Sequence, residues 1–215
     1  GNPLINQLIS NTRWGMISNY LSVPTDCPQR NERLGWTADT QAFAETGTFF
    51  ADTETFLRKW LRDVRDTQLS SGAYRSAAPR AMGGTSKMRC GWADAGIIVP
   101  WIIWKQFGKT DVIQEHWSSM ESFMDHLDQT KYDHTALIKE NGNYQYADWL
   151  SFEPLESFSR RSHQVGQDGK SEPRPEAVEY WTFLSQSYWL IDAGMMRDMA
   201  AATGRDVAKY ESQID

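Results

Sequence analysis

Between Val23 and Asp39 the chain gathers the side chains that acid–base and hydroxyl-binding chemistry requires. In Pro24-Thr-Asp-Cys-Pro-Gln-Arg-Asn-Glu-Arg-Leu-Gly-Trp-Thr-Ala-Asp39, carboxylates stand at Asp26, Glu32 and Asp39, guanidinium groups at Arg30 and Arg33, and an indole at Trp36. Glu32 lies between the two arginines, and Trp36 follows it. Close guanidinium groups favour a carboxylate's charged form, an enclosing indole favours the neutral one, and the balance sets whether Glu32 can donate a proton near neutral pH. Ionised Asp26 and Asp39 would accept strongly from hydroxyl groups. The plain alternative is a solvated charged loop, punctuated by Pro24, Pro28 and Gly35 just ahead of a helix.

Elsewhere the chemistry is sparser. Cys27 and Cys90 are too few for a disulfide scaffold or a four-cysteine zinc site, and two buried thiols are expected rather than a bridge. His116, His126, His134 and His163 form no pair at metal-ligand spacing, so neither metal nor cofactor is expected. The 215 residues carry a net charge of −6, which argues against a protein that neutralises nucleic-acid phosphates. The charge-free stretch from Ala95 to Trp104 is too short for the roughly 18 residues of a membrane span. No basic segment followed by an apolar one opens the chain as a leader would. The 10 tryptophans are the compositional oddity: either they fill a core or some of them stack on sugar rings.

The elements that must hold the Asp26–Asp39 loop read as helices. Apolar spacing near 3.6 residues recurs from Leu4 after Pro3, from Thr37 to Phe50, from Thr53 to Gln68, from Trp92 to Phe107, from Asp111 to Gln129, and from Pro175 to Thr203. Asp52 or Thr53 would cap the third segment, Gly108 would stop the fourth, and a short tail helix would follow Gly204. The Trp92–Phe107 segment is apolar nearly all round and should be buried. Period-two alternation is confined to pieces such as Tyr144 to Tyr146. Ser70 to Gly91 and Lys131 to Glu172 are irregular, and connections of that length tend to carry function. An all-α domain of helical hairpins with elaborate loops at one end is the result.

The loop motif, read as Pro24-Thr-Asp-Cys-Pro-Gln-Arg-x-Glu-Arg-x-Gly-Trp-x-x-Asp39, resembles the signature of bacterial α-L-rhamnosidases of glycoside hydrolase family 78. The likeness continues in Phe43-Ala-Glu-Thr, Phe56-x-x-Lys-Trp-Leu-Arg-Asp63, Gly91-Trp-Ala-Asp94 with Val99-Pro-Trp101, and Tyr146-Ala-Asp-Trp149. It covers most of residues 1–150 and more loosely the rest. The resemblance implies an (α/α)6 barrel of about twelve helices that releases terminal α-L-rhamnose with inversion. It makes Glu32 the general acid, Asp26, Arg30, Trp36 and Asp39 sugar-binding residues, and Trp92 and Trp149 walls of the rhamnose pocket. A core role for those two tryptophans is the competing assignment.

Three positions depart from the family pattern. Asn31 replaces an aspartate beside the acid, Ala38 a glycine, and Phe43 a tyrosine that some members place near the sugar. An inverting glycosidase also needs a second carboxylate, about 6.5–9.5 Å from the first, as general base. In the family that glutamate lies so far after the acid that it falls beyond Asp215. Residues 1–215 are therefore expected to be a portion of one catalytic helical domain, an incomplete barrel without the family's flanking β domains. Glu153, Glu156 and Glu172 are the local substitutes for the base. A rhamnose-containing glycan is the expected partner, with no nucleic acid or membrane, and self-association through an exposed half-barrel surface. The compartment is not legible here, although relatives are often exported. Two other functions compete: a carbohydrate-binding or scaffold remnant that has lost hydrolysis, and a related helical-barrel glycosidase for another sugar.

Overall fold

Every segment with helical spacing forms a helix. The computed structural model describes residues 1–79, 88–129, 146, 163–166 and 171–214. In it α1 spans Pro3–Asn19, α2 Thr37–Thr48, α3 Glu54–Asp66, α4 Ala95–Phe107, α5 Asp111–Gln129, α6 Pro175–Ala202 and α7 Ala208–Ile214. Strands β1 (His163–Val165) and β2 (Ser171–Pro173) pair antiparallel between α5 and α6. Three-residue strands are too short to carry a period-two signal, so nothing in the sequence announced this hairpin. The domain is all-α, built from helical hairpins with this one small β addition.

The helix ends follow local chemistry. Asn2 Oδ1 accepts from the Leu4 N–H at 2.9 Å, and Pro3 takes the first helical position, where its missing N–H costs nothing. At α3 the contact comes from Asp52, whose Oδ1 accepts from the Glu54 N–H at 3.3 Å, while the Thr53 side chain makes no capping bond. Gly108, at φ +72°, closes α4 in the left-handed conformation that glycine adopts freely. The fourth segment starts later than its pattern suggested: Gly91–Asp94 form a turn, and the helix begins at Ala95.

α4 is the hub. It packs against α2, α3, α5 and α6, as an all-round apolar helix must if its side chains are to leave water. Leu57, Trp60 and Leu61 of α3, Ile97 and Ile103 of α4, and Ile113 and Phe123 of α5 are fully buried in one cluster. Gly96 makes room for it. A Cβ there would lie 2.2 Å from the ring of Tyr74, which packs directly on the α4 backbone. Cys27 and Cys90 are both buried and are not joined in a disulfide, as expected. No helix among the described residues is long and apolar enough to cross a membrane.

Ion pairs knit α3 to α5 on the outside. Arg58 reaches Asp111 at 2.7 Å and Glu115 at 2.9 Å, while Arg62 donates to Glu115 at 2.6 Å. Arg62 above all, helped by Arg58, draws the Glu115 carboxyl down to about 2, whereas burial pushes His116 down to about 4. Each group thus holds its proton less readily folded than unfolded. Their contribution is complete above the unfolded values, roughly 6.5 for histidine and 4.3 for glutamate, and disappears as pH falls through the folded ones. The unfolding midpoint, followed by circular dichroism, should decline as pH drops from 6.5 toward 4. His116→Leu should flatten that decline; a level midpoint in the native protein would contradict the assignment.

α1 stands apart from this core. Met16 is its one buried residue, while Leu4 is 79% and Trp14 67% exposed, with Ile5, Leu8, Ile9 and Ile17 also facing solvent. Phe183, Leu190 and Ile191 of α6 add a second exposed apolar area. Surfaces of this kind favour association. Residues 1–215 prepared alone should therefore self-associate, and light scattering from a stable monomer at tens of micromolar would count against it.

Candidate active site

The loop before α2 is closed by its first carboxylate. Asp26 Oδ1 accepts from the Leu34 N–H at 2.9 Å, and the Asp26 N–H donates to the Leu34 carbonyl at 3.0 Å. The backbone must then turn sharply, and Arg33 takes φ +50°, a conformation that non-glycine residues adopt at a cost. Arg33 Nε donates to the Pro28 carbonyl at 3.3 Å, so its side chain faces back along the loop rather than toward Glu32. Of the two flanking arginines, only Arg30 pairs with the glutamate.

Downstream, the loop is pinned to a neighbouring segment. The Ala78 N–H donates to the Gly35 carbonyl at 2.9 Å; the Thr37 N–H and hydroxyl both donate to the Ser76 carbonyl, at 3.0 and 2.9 Å. Trp60 of α3 steadies the same strip by donating its indole N–H to the Ala78 carbonyl at 3.0 Å. Gly35 is required for the approach, since a Cβ there would lie 2.0 Å from that carbonyl oxygen. The first part of the irregular Ser70–Gly91 stretch therefore acts as a buried buttress, with Ala73, Tyr74, Ser76, Ala77 and Ala78 all inside.

So held, Trp36 points its indole N–H at Glu32 Oε1, 2.5 Å away, while Arg30 Nη1 binds Oε2 and Arg30 Nη2 reaches Asp26 Oδ2 at 3.5 Å. The guanidinium bridges the two carboxylates and offsets part of their charge. Behind Trp36 runs an aromatic series. Its ring meets Tyr146 edge-on at 5.8 Å, Tyr146 meets Trp92 at 4.9 Å, and the Arg89 guanidinium lies 5.2 Å from the Tyr146 centroid. Tyr146 joins these side chains without chemistry of its own to mark it in the sequence, where its place at the start of Tyr146-Ala-Asp-Trp149 is the one signal. Trp149 itself, with Glu153 and Glu156, lies outside the described residues. Glu172 sits in β2, exposed and accepting from Gln164 Nε2 at 3.0 Å.

A cleft of about 420 Å³ opens beside this cluster. Thr12, Met16 and Asn19 line it from α1, Thr25 and Asp26 from the loop, and Asp39, Thr40 and Phe43 from α2. Two predicted sugar-binding carboxylates thus face one space, and Glu32 adjoins it through the Arg30 bridge to Asp26. Partial loss of water, then the negative charges of Asp26 and Glu32, push the Asp39 carboxyl above its usual range, although the residue is solvent-exposed. Phe43 brings a hydrocarbon edge where a tyrosine would bring a hydroxyl. Asp26, Cys27 and Glu32 place one potential ligand atom each within 4.8 Å of one another. Arg30 already occupies both carboxylates, and burial above all raises the Cys27 thiol, holding it protonated. That donor set suits hydroxyl groups better than a cation.

The family described as the bacterial α-L-rhamnosidase 6-hairpin glycosidase domain matches residues 1–215. The chain belongs to that family. An α-L-rhamnosidase of Streptomyces avermitilis is 35% identical over 97% of this chain and 17% of its own length; one of Alteromonas sp. is 33% identical over 98% and 21%. The solved S. avermitilis α-L-rhamnosidase, complexed with L-rhamnose, superposes with TM-score 0.78 at 30% identity, covering all of this chain and 18% of that one. The Aspergillus terreus α-L-rhamnosidase gives 0.77 at 29% identity, covering 99% of this chain and 23% of that one. Residues 1–215 thus span about a fifth of the length of these relatives.

The tightest constraint in the site is the one on Gly35. Gly35→Ala should force the loop off Ala78 and cost about 1–3 kcal/mol, the usual penalty for overpacking. Thermal unfolding measures the loss, and an unchanged midpoint would show that the contact does not hold the loop.

Proposed function

We propose that residues 1–215 carry the acid side of an inverting glycoside hydrolase site that releases terminal α-L-rhamnose, with Glu32 as general acid. The observation that carries this reading is the Glu32 carboxyl held by the Trp36 N–H on one oxygen and by an exposed arginine on the other, beside a cleft lined with carboxylates. Trp36 fixes the orientation. Arg30, whose side chain is 59% exposed, can leave Oε2 for a sugar hydroxyl and so free that oxygen to carry the proton. The proton then passes from Oε2 to the glycosidic oxygen as its bond to the anomeric carbon breaks. Asp26 and Asp39 accept from ring hydroxyls, and Trp36, Trp92 and Trp149 supply apolar walls against the pyranose C–H faces.

Asp26 is not the second catalytic carboxylate. It approaches Glu32 within 4.8 Å, closer than the ~6.5–9.5 Å that admits a water in an inverting pair, and the Leu34 N–H holds it in the loop. On this reading the general base is a carboxylate other than Asp26. The test uses the full-length protein carrying this chain and aryl α-L-rhamnosides. Glu32→Gln keeps shape but cannot donate, so kcat/KM should fall by about 10²–10⁴ for poorly leaving aryl groups and by less for good ones. An unchanged rate overturns the assignment. Calorimetric binding of L-rhamnose without turnover by the native protein would favour a binding module instead.

A further inference from the structure

Asp192 lies on α6, fully buried, and among the described residues no N–H or hydroxyl donates to either of its carboxyl oxygens. Its neighbour is another acid: Asp192 hydrogen-bonds the buried Asp94 of the Gly91–Asp94 turn. Two carboxyl groups can bond each other only if one keeps its proton. Asp94 Oδ2 already accepts from the Gly91 N–H at 2.6 Å, whereas no described N–H or hydroxyl supports a negative charge on Asp192, so the shared proton belongs on Asp192. Burial, then the charge of Asp94, holds the Asp192 proton well above the usual carboxylate range.

The turn gripped in this way presents Trp92. Gly91 sits at φ +79°, where other residues are strained, and a Cβ there would meet the Tyr188 ring at 3.5 Å. Tyr188 stands one helical turn before Asp192 on α6, so phenol and acid back the same turn. Beyond it runs the contact series from Trp92 through Tyr146 and Trp36 to Glu32.

We propose that Asp192 is a positioning residue for the sugar site: its protonated carboxyl donates to Asp94, and Asp94 in turn fixes the turn that presents Trp92. The inference rests on the rhamnosidase reading only for its binding readout. An amide can replace the donor, whereas an alkyl group of similar size cannot and leaves Asp94 buried with one partner fewer.

In the full-length protein, Asp192→Asn should keep the dissociation constant of L-rhamnose within about twofold, while Asp192→Leu should raise it about tenfold or more. KM for a good-leaving aryl rhamnoside should rise with it and kcat change less. The 19F resonance of 5-fluorotryptophan at position 92, assigned through Trp92→Phe, should move in the leucine variant and stay in place in the asparagine one. Equal behaviour of the two variants overturns the proposal, whether both are damaged or both intact. Should the leucine variant fail to fold, 13C-labelled aspartate carboxyls in the native protein still decide: Asp192 ionised at neutral pH overturns it. If the native protein neither binds nor cleaves rhamnosides, the functional reading fails, yet the 19F and 13C results still judge the role of Asp192.

Discussion

The site depends on a backbone contact that contains no catalytic atom. Where Gly35 passes Ala78, the carbonyl oxygen occupies the place a side chain would need. That approach lets the Gly35–Thr37 strip bond Ser76 and Ala78, and the bonds fix where Trp36 leaves the backbone. Trp36 also stands at the start of α2 as its N-cap residue, without a side-chain capping bond of its own. Its indole N–H is used instead on Glu32. A capping serine would serve the helix better. Orientation of the carboxyl has been favoured over local helix stability, the usual direction of compromise at a functional site.

Electrostatics around that contact reinforce it. Three carboxylates crowded into one loop and helix start would repel one another, and a bridging arginine relieves the strain at Asp26 and Glu32 but not at Asp39. Asp39 is left to hold its proton more tightly than a free aspartate, despite its place in the first turn of α2, where the helix dipole favours negative charge. A neutral sugar brings hydroxyl donors that can satisfy such carboxylates without adding charge.

Much of this was legible in the sequence, and the physical reason is locality. The helices at Asp111–Gln129 and Pro175–Ala202 follow from side-chain period, and the Gly108 stop from the freedom of glycine to adopt positive φ. That Glu32 would meet Trp36 and one of its flanking arginines was readable because all of them share one short loop. What could not be read is what the chain brings in from afar. Ser76 and Ala78 carry no chemistry in their side chains, so nothing in their identity marks them as the buttress. Arg33 had the same claim on Glu32 as Arg30, and only the turn at φ +50° sends it elsewhere. Tyr146 and Asp192 reach the site through contacts across the fold, and the carboxyl pair with Asp94 joins residues nearly a hundred positions apart.

The two sides of the cleft are held with unequal firmness. Its α2 side is anchored to the α3–α4–α5 core through the buttress and through α4, which packs on α2 directly. Its α1 side relies on little: Tyr20 stacked on Phe56 at 4.6 Å, the Tyr20–Pro24 bridge, and the Thr25 bonds to the Asn19 carbonyl and amide oxygens at 3.1 and 3.0 Å. All of these lie at the C-terminal end of the helix, while the exposed leucines and isoleucines lie along its length. The width of the cleft therefore depends on what packs against that apolar face, more than on the loop that carries Glu32. Glu32 and Trp36 would keep their mutual geometry through such a change, because the buttress is independent of α1. The Glu32–Trp36 geometry and the shape of the cleft are thus mechanically separate among the described residues.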